Sequence, residues 1–382
     1  MFSDKLKQRV KYNNFSFGCN GAYRFLWLAP FFDPAIMLLC LSRFFIQQAK
    51  IKMISRRNFL GAASVAAATG FLAQFQYSAL TQEKGTAGTF PSEIYKARIA
   101  NAPTDEICAD WKTAGFDGME VTRWDIPIAE ARANRLIAEK HGISVHSVMR
   151  GWTNFNHSDK YDTDIESVKT ALRIASAYGA DGVLLVPCQL PRDMIMPEPW
   201  NFDIDFDPQT LKIKTVAEGD NAPYADYIAA HNIATESSIR AIESLIPTAA
   251  KEGVRILIEN VWNQLWCTPK FFAAFCQHFN HPWVGCYFDL GNHVKYARCE
   301  EWIKALGNSL VKLHIKGYRV SEVRGKLGGG PGDWAPIDQA STDWKSVRKL
   351  LAEKRYNGWL TIEEGAHSNE EYSRILDEII AM

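Results

Sequence analysis

Four acid or imidazole side chains close four successive hydrophobic runs in the C-terminal half of the chain. The runs are Arg255-Ile256-Leu257-Ile258-Glu259-Asn260, Cys286-Tyr287-Phe288-Asp289, Val311-Lys312-Leu313-His314-Ile315-Lys316 and Trp359-Leu360-Thr361-Ile362-Glu363-Glu364. Glu259, Asp289, His314 and Glu363 thus sit at the C-terminal ends of strand-like stretches. Brought together, three carboxylates and one imidazole repel or desolvate one another unless a cation joins them. Hard oxygen ligands with one imidazole suit Mn²⁺, Mg²⁺, Co²⁺ or Zn²⁺. One strand-end acid alone is more often a cap or an ion-pair partner. Four on consecutive strands point to a single divalent metal site.

Eight strand–helix units are expected to position them. The strand candidates are Tyr95–Ala100, Asp117–Thr122, Ile143–Val148, Gly182–Pro187, Arg255–Asn260, Val284–Asp289, Leu310–Ile315 and Trp359–Glu364. Most are introduced by turn signals such as Ala114-Gly115, His141-Gly142, Tyr178-Gly179, Glu252-Gly253 and Asn357-Gly358. Helical periodicity fills the gaps, as over Asp125–Lys140, Ile165–Tyr178, Tyr227–Glu252 and Thr268–Phe279. The expected fold is α/β, a (β/α)8 TIM barrel over residues 90–382, whose strand C-termini converge on the functional face. A doubly wound open sheet is the competing fold, but no glycine-rich dinucleotide fingerprint follows the first strand. Two connections on the functional face, Cys188–Ala222 and Gly317–Ala340, exceed ordinary loop length and read as lids or substrate loops.

Composition narrows the function classes. The 382 residues are 47% hydrophobic and 23% charged, enough apolar material for a full core. Residues 1–80 hold ten basic and two acidic residues, leaving 33 basic and 41 acidic in the remainder, a net of −8. An acidic body has no general attraction for a polyanion, so nucleic acid is not expected as a partner. Cys108, Cys188, Cys267, Cys276, Cys286 and Cys299 show no C-x-x-C spacing, which removes zinc-ribbon and thioredoxin-like readings.

Ahead of the barrel, Ser55-Arg56-Arg57-Asn58-Phe59-Leu60 precedes a small-residue apolar stretch within residues 53–80. This resembles a twin-arginine (Tat) export signal, which implies the export machinery as a partner and a periplasmic or exported protein. Residues 1–52 read as a leader from an over-extended start, with Met53 the initiator. The rival reading makes residues 26–48 a membrane anchor, but Pro30, Asp33, Pro34 and Arg43 interrupt that stretch. No lipobox cysteine and no clean A-x-A cleavage site follow the signal, so an uncleaved signal would tether the protein to the membrane.

The stretches Ile256–Asn263, Val284–Asn292, Val311–Lys316 and Tyr356–Glu363 resemble the xylose isomerase-like TIM-barrel superfamily. Within it they are similar to the sugar (phosphate) isomerase/epimerase group that includes ketose 3-epimerases. The resemblance covers roughly residues 93–382. It implies that Glu259, Asp289, His314 and Glu363 hold one divalent metal and that Glu259 and Glu363 exchange a substrate proton from opposite faces. The chemistry is coherent: the metal polarises a carbonyl while one glutamate removes the adjacent proton and the other returns it. The expected function is therefore a metal-dependent sugar isomerase or epimerase. Export favours an unphosphorylated sugar or derivative. A lyase or hydratase on a keto-sugar or keto-glycoside begins with the same step, and a non-catalytic sugar-binding barrel is a third reading. An apurinic endonuclease is excluded, because Asn292 stands where its zinc cluster needs a histidine and no Asp/His pair follows His314.

Substrate contacts are expected from Trp262 and Asn263 beyond Glu259, from Asn292 after Asp289, from Lys316 at the parity of His314, and from Arg319 on the following loop. His293 falls one residue past the family's substrate histidine and is expected to point elsewhere. Arg324, Glu120 and His146 are weaker pocket candidates, with a structural role favoured for His146. Glu364, of opposite parity to Glu363, is expected to support neighbouring structure.

Overall fold

Strands and helices alternate in the order β1 (Ile94–Ala100), α1 (Asp105–Ala114), β2 (Gly118–Val121), α2 (Ile128–Lys140), β3 (Ser144–Trp152), α3 (Tyr161–Tyr178), β4 (Gly182–Val186) and α4 (Ala225–Glu252). They continue through β5 (Arg255–Ile258), α5 (Pro269–His278), β6 (Val284–Asp289), α6 (Cys299–Leu306), β7 (Leu310–Ile315), α7 (Trp344–Glu353), β8 (Gly358–Ile362) and α8 (Asn369–Ala381). The structure, a computed structural model, describes residues 93–382. The leader at 1–52, the anchor reading at 26–48 and the twin-arginine segment at 53–80 lie outside the described residues.

The strands close in the order β1-β8-β7-β6-β5-β4-β3-β2, each pair parallel, which is the expected (β/α)8 barrel. Three of the five glycines that signal turns in the sequence act as helix stops, while His141 ahead of Gly142 caps α2 and Gly358 opens β8. Gly115, Gly179 and Gly253 end α1, α3 and α4 in the left-handed region, at φ of 95°, 82° and 70°. Only a residue without Cβ takes that conformation freely, so each helix releases the chain toward the next strand.

Most strand bounds agree with expectation to within a residue, and three differ by more. β3 runs on to Trp152, because a register shift between Met149 and Gly151 lets it bend and keep pairing with β4. β5 and β8 stop one residue short of Glu259 and Glu363. Both acids are still tied to the ladder: the Glu259 N–H donates to Leu185 O at 2.9 Å, and the Glu363 N–H donates to Ile315 O at 3.1 Å.

Between sheet and helices lies the main apolar layer, which includes the fully buried Trp302 against Phe272, Phe288 and His293. Inside the barrel Leu184, Val186, Leu257 and Tyr287 form a smaller apolar group. A polar column accompanies it. Lys312, 2% exposed, donates to Asp181 Oδ1 at 2.7 Å and lies 3.2 Å from His146 Nδ1. His146 Nε2 meets Thr361 Oγ1 at 3.2 Å, and the Tyr287 hydroxyl donates to the same Thr361 oxygen at 3.1 Å. The six cysteines among the described residues are free and buried. No described helix is long and apolar enough to cross a membrane.

Each long connection carries its own two-stranded hairpin, Asp205–Phe206 with Ile213–Thr215 and Tyr318–Val320 with Gly332–Trp334. The loops touch: Lys326 of the second pairs with Glu218 of the first, and the Arg324 guanidinium lies 5.7 Å from the Trp200 ring. Because both follow strand C-termini, this contact spans the functional face.

Trp302→Ala removes the largest side chain behind β6 and is expected to destabilise the barrel by about 3–5 kcal/mol. A urea transition with an unchanged midpoint would contradict the packing described.

Candidate active site

Parallel pairing of β6 with β7 puts Asp289 directly opposite His314. Glu259 and Glu363 arrive from β5 and β8, on either side of that pair in the barrel order. One ligand atom from each of the four lies within 4.8 Å of all the others. His314 Nδ1 is 3.3 Å from Glu259 Oε1 and 3.3 Å from Glu363 Oε2. Asp289 and His314 are fully buried, Glu259 is 5% exposed, and the Glu363 side chain, 29% exposed, faces the opening.

The electrostatics follow from this crowding. Burial pushes the Asp289 carboxyl up to about 7, with Lys316 opposing and Glu363 and Glu259 adding to the rise. Burial likewise raises Glu259 against the pull of His314. Glu363 is held low, since His314 and Lys316 outweigh its burial. Burial works against a charged His314, but Glu120, Glu363 and Glu259 around it prevail and raise its pKa well above the usual imidazole value.

These residues fit a divalent cation. Asp289 Oδ2 and Glu363 Oε2 are buried oxygens that share the single ammonium of Lys316, at 3.4 and 2.8 Å, so the three carboxylates are left short of positive charge that a divalent cation would supply. Asp289 Oδ1 is occupied, accepting the Asn292 N–H at 2.7 Å. His314 Nε2 donates to Glu120 Oε2 at 2.7 Å, which aims Nδ1 at the carboxylates, where a cation displacing the Nδ1 proton would find its lone pair. A carboxylate behind the distal nitrogen is how metal-ligating histidines are commonly oriented.

Around the cluster the expected contacts divide. Lys316 reaches it: Nζ is 2.8 Å from Glu363 Oε2 and 3.4 Å from Asp289 Oδ2. Trp262 stands at the rim, its indole N–H donating to Asn292 O at 2.7 Å. Asn292 is buried on the single turn Leu290–His293 that Asp289 caps. Asn263 is engaged elsewhere; its amide donates to Cys188 O at 3.1 Å and its carbonyl accepts the Leu265 N–H at 3.3 Å, so it binds two loops together. Arg319 is exposed on the hairpin strand opposite Asp333. Arg324 is spent on Glu322 at 2.6 Å. As expected, His293 points away, its Nδ1 to Asp289 O at 2.9 Å and its ring among Phe272, Phe288 and Trp302. Glu364 supports structure by accepting from the Gly317 and Ile337 N–H groups. His146 lies in the polar column rather than in the cluster.

The strongest underestimate is Glu120. It is fully buried, and its partner on β7 is 194 residues away in sequence. The available signal was an acid inside the otherwise apolar run Gly118–Val121, which demands a partner. Trp334, Tyr318 and Lys295 were missed altogether. Trp334 stacks on Trp262 at 4.8 Å with Tyr318 edge-on to both, and Lys295 Nζ lies 3.5 Å from the Trp262 ring centre. A cavity of about 500 Å³ opens here, lined by Lys316, Trp334, Pro336, Glu363 and Ala366 among others. A second cavity, about 660 Å³, opens at the opposite end of the strands beside Asp181, Arg255 and Lys312.

A family profile described as xylose isomerase-like TIM barrel matches residues 108–380. No curated protein sequence matches the chain. Among solved structures, a D-tagatose 3-epimerase-like protein superposes with a TM-score of 0.57 at 12% identity, covering 75% of this chain and 97% of that one. The 3-keto-D-glucoside 4-epimerase from E. coli in its apo form gives 0.53 at 13% identity, covering 76% and 100%. A xylose isomerase-like TIM barrel protein from Mycobacterium smegmatis in complex with magnesium gives 0.50 at 17%, covering 78% and 98%. At such identities these likenesses speak for the fold.

Glu120→Gln keeps the shape but weakens the acceptor behind His314. Calorimetric titration with Mn²⁺ is expected to give about one ion per chain for the unaltered protein and roughly 10–100-fold weaker binding for the variant. Equal affinities would show that Glu120 does not orient a ligand.

Proposed function

The chain belongs to the xylose isomerase-like TIM barrel family, matched over residues 108–380, and from that premise we propose that it is a divalent-metal-dependent sugar isomerase or epimerase. The observation that carries this reading is the convergence of Glu259, Asp289, His314 and Glu363, with ligand atoms within 4.8 Å of one another at the strand ends. A metal held by these four would supply Lewis acidity toward a substrate carbonyl and offset negative charge at its oxygen. The neighbouring tagatose-epimerase-like and keto-glucoside epimerase folds support a carbohydrate substrate.

The remaining work falls to the side chains. Glu259 and Glu363 end strands separated by β6 and β7, so they approach the substrate from different sides. One can take the proton next to the carbonyl and the other can return one to the opposite face. Lys316, beside Glu363, offers an ammonium to a substrate oxygen. Trp262 borders the opening, and Asn292 offers an amide beside Asp289. The twin-arginine reading of residues 53–80 supports an enzyme that is exported before it acts, and hence an unphosphorylated sugar. Fusion of that segment to a reporter folded in the cytoplasm, with Arg56→Lys and Arg57→Lys as the comparison, tests it: export that survives loss of both arginines removes this part of the reading.

In D₂O, ketone sugars incubated with the Mn²⁺-loaded protein are expected to take up deuterium next to the carbonyl. Glu259→Gln or Glu363→Gln should each lower that rate by about 10²–10⁴-fold while circular dichroism stays that of a folded barrel. Chelation should abolish it reversibly. Full exchange in either variant would overturn the mechanism, and product identity separates epimerisation from elimination.

A further inference from the structure

The cavity of about 660 Å³ at the N-terminal ends of the strands is lined by four cationic side chains, Arg255, Lys312, Lys354 and Arg355, and by a single acid, Asp181. That surplus stands in a body whose net charge beyond residue 80 is −8, and positive charge gathered at one concave mouth attracts anions. Asp181 is already divided between two of the cations. Its Oδ1 lies 2.7 Å from Lys312 Nζ and its Oδ2 3.6 Å from Arg255 Nη1. Among the described residues Lys354 has no ion pair. His281 adds a neutral donor: its Nδ1 accepts the Trp283 N–H at 3.3 Å, which leaves the proton on Nε2.

Two backbone features place these cations. Lys312 runs down the barrel interior past Gly182, where a Cβ would lie 2.6 Å from Leu257 Cδ1 and 3.1 Å from Lys312 Cε. The missing side chain at Gly182 is what leaves the lysine its passage. The second feature is the end of α7. Among the described residues seven turns lead from a barrel helix into the next strand, and each holds a residue at positive φ. Five of these residues are glycine and one is Asn280, but the turn after α7 holds Arg355 at φ 54°. There the Tyr356 N–H donates to Leu351 O at 2.8 Å and the Arg355 N–H to Ala352 O at 2.9 Å, the same helix end that α1 makes with Gly115. A long side chain gains nothing locally in that conformation. What distinguishes arginine from glycine at this turn is the side chain it adds to the cavity lining.

A bare inorganic anion would fill little of this volume, which is in the range of small-molecule sites. Tyr95, 37% exposed, and Trp359, with ring centres 5.0 Å apart, supply apolar wall beside the charges. Guanidinium and ammonium groups together suit paired anionic oxygens. We infer that this opening is a binding site for a small organic dianion, a phosphate monoester or a dicarboxylate, distinct from the carboxylate cluster at the strand C-termini. Its charged end exchanges for Asp181 on Lys312 and Arg255, and Lys354 and Arg355 flank it. Asp181 can give way, since its side chain is 57% exposed and its carboxylate is held by those two contacts.

The test is calorimetric titration of the Mn²⁺-loaded protein with glycerol 3-phosphate and with succinate, neither of them a sugar, and with glycerol as the neutral comparison. Saturable binding of at least one dianion, weakened by added NaCl, is expected, and none of glycerol. Arg355→Gly restores the residue usual at such a turn, so its thermal midpoint should hold while dianion affinity falls about tenfold, the worth of one charge-assisted contact. Lys354→Ala should weaken binding by a similar factor. Asp181→Asn removes the competing carboxylate and should tighten it about tenfold. A dianion held instead by the metal at the other opening would be indifferent to all three substitutions. Binding of glycerol 3-phosphate alone assigns the site to phosphate monoesters, and binding of succinate alone assigns it to dicarboxylates. Absence of saturable binding, or affinities unmoved by Arg355→Gly and Lys354→Ala, overturns the inference; an affinity unmoved by Asp181→Asn overturns the exchange with Asp181.

Discussion

The mutual repulsion of carboxylates gathered around one buried imidazole is the constraint on which the site depends. Glu259, Asp289 and Glu363 converge on His314 where little water can reach them, and Glu120 presses on the same ring from behind. Within the described residues the charge nearest to answering them is Lys316, in contact with both Glu363 and Asp289. One ammonium against four carboxyl groups leaves the balance short even with a protonated histidine, which explains why burial can drive Asp289 up to about 7. A divalent cation is the physical remedy with the right charge and the right ligand chemistry.

Holding that arrangement needs a rigid floor. The barrel interior supplies it with a polar column as well as aliphatic residues: Lys312, His146, Thr361 and Tyr287 are joined in series beneath the cluster, and the half-exposed Asp181 accepts from Lys312 at the far opening. Tyr287 then packs its ring 4.3 Å from that of His314. Stacking of His146 on Trp359 at 4.3 Å fixes the column laterally. Buried polar groups so fully paired favour a single arrangement, because any slip leaves a donor or acceptor without a partner. The free energy spent on desolvating Lys312 is recovered in part through Asp181, and the return is a histidine whose orientation is set from two sides.

Above the floor, function is governed by the loops. The hairpins after β4 and β7 are joined by Lys326 with Glu218 and by Arg324 against Trp200, so neither is a free appendage. Trp334 of the second hairpin lines a cavity with Glu363 and Lys316. The family fold provides a general site for chemistry next to a carbonyl, and these insertions narrow what can enter it.

Much of this was legible in the chain. Parity and spacing located eight strands, and the types of residue ending the last four specified a metal-like cluster, because strand direction and alternation fix where such side chains emerge. Glu364 was correctly set aside on the same grounds, and His293 on its offset by one residue from the family's histidine position. What the chain alone did not disclose depends on contacts across the barrel. Glu120 reaches His314 over 194 positions, and Asn263 looks like a sugar ligand until its amide is found between Cys188 and Leu265. Trp334 lies in a glycine-rich loop with no periodicity of its own, and only the pairing of Tyr318 with it turns the ring toward the cavity. Local pattern determines which face a residue takes; closure of the sheet and the meeting of its loops decide what that face meets.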